Sequence, residues 1–279
     1  MVRQLLIKDF RSRRRILTKK DYALEGDINY NKKIDLIDKE LWEDIINLSD
    51  TVLIETTNIH GSKIKILNNL SNQILQDHIY NFFKKDFEKY LLLLIHDNFE
   101  SSIFNALNGY YKESLSSLRN GLELIILIII DDEEFYNNWM NSKEMSYGGK
   151  LNNSKNIKNI DEKLNNIAST KYSSYIRTYM HELSGYVHSL ENKSNYDLWG
   201  GSTGPIFIEE TFLDFYKNYI QVISILYLEV LFNIKNNKSN KKDVNIYKII
   251  SRFFDENIDY IPLYITSICR NQLKSMLNK

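Results

Sequence analysis

Between residues 101 and 130, apolar side chains return at steps of three and four: Ile103, Phe104, Leu107, Tyr111, Leu115, Leu118, Leu122 and Ile125. An α-helix turns once every 3.6 residues, so this spacing gathers them on one stripe and commits the segment to helix. Past Glu123 the polar positions vanish, and residues 124–130 read Leu-Ile-Ile-Leu-Ile-Ile-Ile. A helix that is apolar all round has to be surrounded, which places it at the centre of a bundle. The run is closed by Asp131-Asp132-Glu133-Glu134. It is far shorter than the roughly 20 apolar residues a membrane span needs, so no membrane role is expected.

Breakers are scarce in the rest of the chain. Ten Gly and two Pro among 279 residues favour long helices, and the fold class expected is all-α. Residues 1–35 are basic, with Arg11, Arg13, Arg14, Arg15, Lys19 and Lys20 crowded together. They read either as a solvated arm or first helix, or as a contact to nucleic acid or a partner. Asp38 suits the N-cap of a helix through Leu41, Trp42, Ile45, Ile46 and Leu48. Residues 51–62 are β-branched and turn at His60-Gly61, which suggests a short strand or a loop. Helices are expected at about 63–80 and from Phe82 through Leu91 to Ile95.

Residues 142–170 are rich in Asn, Lys and Ser and contain Gly148-Gly149. They read as a connection holding one short helix at 161–167. A helix at 173–190 follows. Residues 196–208 carry glycines and Pro205 between aromatic and β-branched residues, the pattern of a turn or small hairpin. A long helix at 209–234, a lysine-rich linker at 236–243, and one or two helices at 244–277 around Pro262 complete the chain. The layout expected is a basic N-terminal arm or helix at 1–35, a helical bundle at 36–234, and a linker with C-terminal helices at 235–279. There is no internal repeat.

Thirty-six basic residues balance thirty-six acidic ones. That balance argues against a general nucleic-acid coat, whose affinity is mostly phosphate neutralisation, and leaves room for a local basic groove. Cys269 is the one cysteine, which excludes an intramolecular disulfide and any CxxC or zinc-ribbon site. No signal-peptide core of adequate length opens the chain, so the localisation expected is cytoplasmic.

One stretch has the look of chemistry: Arg-Thr-Tyr-Met-His-Glu-Leu-Ser-Gly-Tyr-Val-His at 177–188. On a helix advancing about 100° per residue, Arg177, His181, Ser184 and His188 fall within an arc of about 60°. Met180, Leu183, Tyr186 and Val187 take another side and supply a packing face. Arginine makes a fork for phosphate, and imidazole exchanges protons near neutral pH. Such a stripe suits proton transfer to or from a ribose 2′-hydroxyl or a leaving oxygen. The spacing alone favours the plainer alternative, the solvated polar face of a surface helix with the histidines at the edge of an interface. His181 and His188 are seven apart with no HExxH or Cys cluster to support them, so no metal is expected.

Arg119 and Glu123 stand four apart on the most apolar helix of the chain. Charges there are costly to bury unless paired. They should pair with each other or reach a polar partner on another helix, either as a structural ion pair or as part of one cleft with the histidine stripe. Gly200-Gly201-Ser202-Thr203-Gly204-Pro205 lacks the Walker lysine and the GxGxxG spacing, and reads as a turn. No GxSxG elbow is present, and no cofactor is expected.

Three pieces together resemble a known family. They are Ala106-x-x-Gly109-x-Tyr111-x(6)-Leu118-Arg119-x-x-Leu122-Glu123, then His181-Glu-Leu-Ser-Gly-Tyr-Val-His188, then Leu198-Trp-Gly-Gly-Ser-Thr-Gly-Pro-Ile206. The pattern is similar to that of the HEPN-like (higher eukaryotes and prokaryotes nucleotide-binding) helical proteins of bacteria, over roughly residues 85–234. The resemblance implies a helical bundle that forms a homodimer, with RNA or a nucleotide as ligand. Active members of the family are metal-independent endoribonucleases of toxin–antitoxin or antiviral defence, with an Arg-x(4–6)-His motif from each subunit across the dimer cleft. Others are non-catalytic modules that assemble with a protein partner such as an antitoxin. By this resemblance His188 or His181 would be the general acid and base, Arg177 and Arg119 would stabilise phosphate, and Ser184 would orient a histidine or the substrate, with Glu123 supporting. Here Arg177 precedes His181 by three intervening residues and His188 by ten, and Arg119 is followed by Glu123 where the motif has histidine.

Overall fold

A computed structural model of the protein describes residues 39–75, 77–80, 82–134, 136–137, 171–187, 207–236 and 244–277. Among the described residues the fold is all-helical. The helices are α1 (Lys39–Leu75), the single turn α2 (Asp77–Tyr80), α3 (Asp86–Leu107), α4 (Tyr111–Ile130), α5 (Lys171–Val187), α6 (Glu209–Asn236), α7 (Val244–Glu256) and α8 (Leu263–Leu277). None of them is long and apolar enough to cross a membrane. The basic segment 1–35, the proposed cap Asp38, residues 142–170, residues 196–206 and most of the 236–243 linker lie outside the described residues.

α4 and α6 form the centre. Every residue from Leu124 to Ile130 is buried, and α4 packs against α3, α5 and α6. This is the arrangement an all-round apolar helix requires. In α6, burial is continuous from Val222 to Phe232. α7 and α8 add Ile250, Phe253, Phe254, Ile265 and Cys269 to the same buried cluster as the rest of the fold.

The long periodic stretch is two helices, not one. α3 ends at Leu107 and α4 starts at Tyr111, across a tight turn at Asn108-Gly109-Tyr110. Gly109 has φ +79°, a conformation open to glycine because it has no Cβ. The turn is tied down by Tyr110 N–H donating to the Asn105 carbonyl (2.8 Å) and Asn108 Nδ2 to the Phe104 carbonyl (2.7 Å). Below it, the Ser114 hydroxyl of α4 donates to the Ser102 carbonyl of α3 at 2.8 Å. Phe104, part of the apolar series in the sequence, is 61% exposed on the outside of α3.

Residues 51–62 are neither strand nor loop: they continue α1. β-Branched residues lose side-chain freedom in helices, but the cost is small and packing overrides it. Val52, Thr56 and His60 are buried at steps of four. The hydroxyls of Thr56 and Thr57 donate to the carbonyls four residues back, at 2.7 Å each, which satisfies them locally and tends to bend a helix. The break signalled by His60-Gly61 survives as a kink, with His60 at φ −116°, ψ 22°. Its ring stacks on Phe212 of α6, with centroids 4.6 Å apart and planes 13° apart. Its Nε2 lies 3.8 Å from Glu209 Oε1.

Two predictions follow from this kink. A Cβ built at Gly61 meets nothing within 4 Å, so Gly61→Ala should stabilise the protein by about 0.5–1 kcal/mol. A thermal melt should show a rise in Tm of about 1–4 °C. For His60, burial, helped by the Lys63 charge and opposed by Glu209, holds the imidazole pKa below its usual 6.5. Below that value the unfolded chain takes up a proton that the folded chain refuses, so stability is full above pH 6.5 and falls as the medium is acidified. Urea unfolding at pH 7.5 and pH 5 should show a smaller acid loss for His60→Phe than for the native protein; equal losses would refute the assignment.

Candidate functional site

α5 rests on the bundle through Tyr172, Ile176, Tyr179, Met180 and Leu183, all buried. These positions recur at three and four, so they form one face. Met180 and Leu183 therefore take the packing side expected of them; the side chains of Tyr186 and Val187 fall outside the described set. The Tyr179 hydroxyl lies 2.7 Å from Asn218 Oδ1 and 2.8 Å from the Asn218 carbonyl, fastening α5 to α6. The Tyr175 ring lies parallel to Tyr179 (centroids 5.8 Å) and edge-on to Tyr264 of α8 (5.6 Å).

With that face turned inward, the polar stripe turns outward. Arg177 and His181 are exposed, and Ser184 is half-buried at the seam with α4. Ser184 meets Arg119 there: Arg119 Nε donates to Ser184 Oγ at 2.9 Å. Arg119 Nη2 is 2.8 Å from Glu123 Oε1. Both expectations for this pair hold together, since the charges pair along α4 and the arginine also reaches a polar group on another helix. Ser184 in turn donates to the Met180 carbonyl at 2.8 Å, which fixes the direction of its proton and leaves an oxygen lone pair for the guanidinium. Arg119 and Glu123 are 18% and 13% exposed, so the pair sits at the rim of the core and not in its depth.

Three of the six residues singled out in the sequence (Arg119, Glu123 and Ser184) are thus joined at the seam between α4 and α5, while His181 and Arg177 are exposed on α5. His188 lies outside the described residues. Among the described residues no group of three or more His, Cys, Asp or Glu side chains could hold a metal ion.

Two further polar features were not signalled by the sequence. One is His60, which reads as a turn residue because glycine follows it. The other lies behind α5, where Glu229 is buried and accepts from Asn233 Nδ2 at 3.1 Å. Burial first, and then the Glu229 charge, push the Tyr172 phenol well above its ordinary range. Tyr175 shifts the same way through burial and its neighbours Tyr264 and Glu182. Both phenols therefore stay neutral, and neither hydroxyl has a hydrogen-bond partner among the described residues.

No family model, curated protein or solved structure matches this chain. The seam has to be read from its own chemistry.

A hydrogen bond from a charged donor contributes about 1.5–3 kcal/mol. Removing either partner of the Arg119–Ser184 bond should cost within that range, and the Arg119→Ala, Ser184→Ala double variant should cost less than the two single losses summed. Chemical denaturation of the four proteins measures the coupling. Strict additivity would mean the bond is not formed in solution.

Proposed function

We propose that the chain is an HEPN-like, RNA-directed protein and that the α4–α5 seam is its working surface. The observation that carries this reading is the Arg119–Ser184 bond. It brings a cation held on a rigid, buried helix beside a stripe that offers a second arginine and an imidazole to solvent. Arginine forks bind phosphate oxygens with charge-assisted bonds, and they do so best when their orientation is already held. In the catalytic form of the proposal, the protein is a metal-independent endoribonuclease of toxin–antitoxin or antiviral defence type, acting in the cytoplasm. His181 or His188 takes the proton of a ribose 2′-hydroxyl as the oxygen attacks the adjacent phosphorus, and an acid protonates the departing 5′-oxygen. Arg177 and Arg119 offset the charge that builds on the phosphoryl oxygens. A second subunit in a homodimer would supply a further copy of the same groups.

A second reading is favoured by a different surface. Tyr90, Leu93 and Phe104 are large apolar side chains exposed along α3, and apolar surface of this kind is what partner proteins cover. In that reading the chain is a non-catalytic helical module that assembles with a protein partner or antitoxin.

The two readings separate in one experiment. Purified protein is incubated with a labelled single-stranded RNA in the presence of a metal chelator, beside His181→Ala and His188→Ala. The enzyme reading expects cleavage by the native protein, a loss of at least about a hundredfold in one of the two variants, and an unchanged Tm. Tight RNA binding without cleavage keeps the RNA-directed reading and removes the catalytic one. Neither binding nor cleavage leaves the assembly reading in its place.

A further inference from the structure

The Arg119 guanidinium is already engaged on two sides, by Ser184 through Nε and by Glu123 through Nη2. These two partners differ in kind. The serine is neutral and crosses to α5, so it orients the guanidinium without neutralising it. The glutamate is on the same helix as the arginine, one turn on, and presents the same type of anionic oxygen that a phosphate would. A carboxylate and a phosphate cannot both take the same edge of one guanidinium without repelling each other. The pair sits at the rim of the core, 18% and 13% exposed, and the Glu123 Oε1 that meets Arg119 is itself sealed from solvent, so an anion would reach this contact only by displacing the carboxylate. An RNA strand lying along α5 would meet Arg177 and His181, both exposed, before it reached the Ser184 end of the stripe.

We propose that Glu123 is an internal competitor that occupies Arg119 in the free protein and is displaced by an RNA phosphate, so that the carboxylate regulates engagement of the α4–α5 seam. Glu123 is then a positioning residue and Ser184 is the tether that keeps Arg119 aimed while its partner changes. This inference rests on the RNA-directed reading and adds a regulatory element to it. It also gives the seam a threshold. A strand held only by exposed charges such as Arg177 gains little, whereas a strand long enough to bring a phosphate to Arg119 gains that tethered guanidinium as well.

The test is fluorescence anisotropy with a labelled single-stranded oligoribonucleotide at fixed salt. The proteins compared are the native chain, Glu123→Gln, Arg119→Gln and the double variant. Glu113→Gln is the control, because it removes one exposed carboxylate from the same helix and matches the change in net charge. Glu123→Gln is expected to bind about five- to tenfold more tightly than the native chain, the gain being absent from Glu113→Gln and lost in the double variant. Should Glu123→Gln fail to fold, as judged by circular dichroism, Glu123→Asp takes its place. It keeps the charge but draws the carboxylate back by one methylene, and a smaller gain in affinity is expected. Binding no tighter than native, or a gain that survives in the double variant, overturns the competitor role. If the native chain binds the RNA under those same conditions, the RNA-directed reading survives that failure. No RNA binding by any of the proteins overturns both.

Discussion

Seven consecutive apolar residues, Leu124 to Ile130, leave α4 with no side that tolerates water, and the rest of the fold is arranged round that demand. A helix buried on one face needs one neighbour, whereas this one is packed by α3, α5 and α6 together. Each fully buried Leu or Ile side chain contributes about 1.5–3 kcal/mol relative to exposure, against a backbone entropy cost of about 1–2 kcal/mol per residue. The margin is narrow unless burial is complete, and α6, buried without interruption from Val222 to Phe232, completes it. Three buried serines inside this centre are matched over short reach: Ser102 to Phe99, Ser114 to Ser102, Ser224 to Gln221, each hydroxyl donating to a carbonyl. A core wrapped this closely cannot accept an unpaired polar group cheaply.

That constraint explains the seam. α4 is apolar all round only beyond Glu123; one turn earlier it still carries Arg119. α5 lies across α4 with its apolar face inward. The arginine therefore meets α5 where the stripe passes, and Ser184 is the group it finds. The position of α5 is fixed independently by Tyr179 on Asn218 and by Tyr175 against Tyr264. The outward direction of Arg177 and His181 is a consequence of how α5 packs and needs no ligand to hold it.

Helix content and centre were legible because burial writes itself into spacing. The fault in the 101–130 segment has a physical reason too. Leu107, Tyr111 and Leu115 keep a step of four across the turn, so the break at Gly109 leaves the apolar rhythm undisturbed. Only the glycine with positive φ marks it. The opposite fault occurs at 51–62, where Thr and Ile weaken the local helix signal while Val52, Thr56 and His60 pack as helical neighbours. Local propensity there is outweighed by contacts with residues about 150 positions away, such as His60 on Phe212. The described part of the stripe, Arg177, His181 and Ser184, was legible as a face. Its contact with Arg119 was legible only as a requirement, since the rule that a buried charge seeks a partner says nothing about which of several helices supplies it.

The remaining question is why an ion pair stands at this seam at all. Apolar side chains of similar volume at 119 and 123 would hold α4 against α5 without the desolvation that charges entail, and replacements of that kind are often neutral or stabilising. Packing alone therefore gives no reason for Arg119 and Glu123. A guanidinium aimed by Ser184 and left 18% exposed ties α4 to α5 and also holds a charge at the rim of the core. That is a good way to keep a cation pointed at a surface where an anion can arrive. Under the RNA-directed proposal, that retained charge is what the seam would offer to a phosphate.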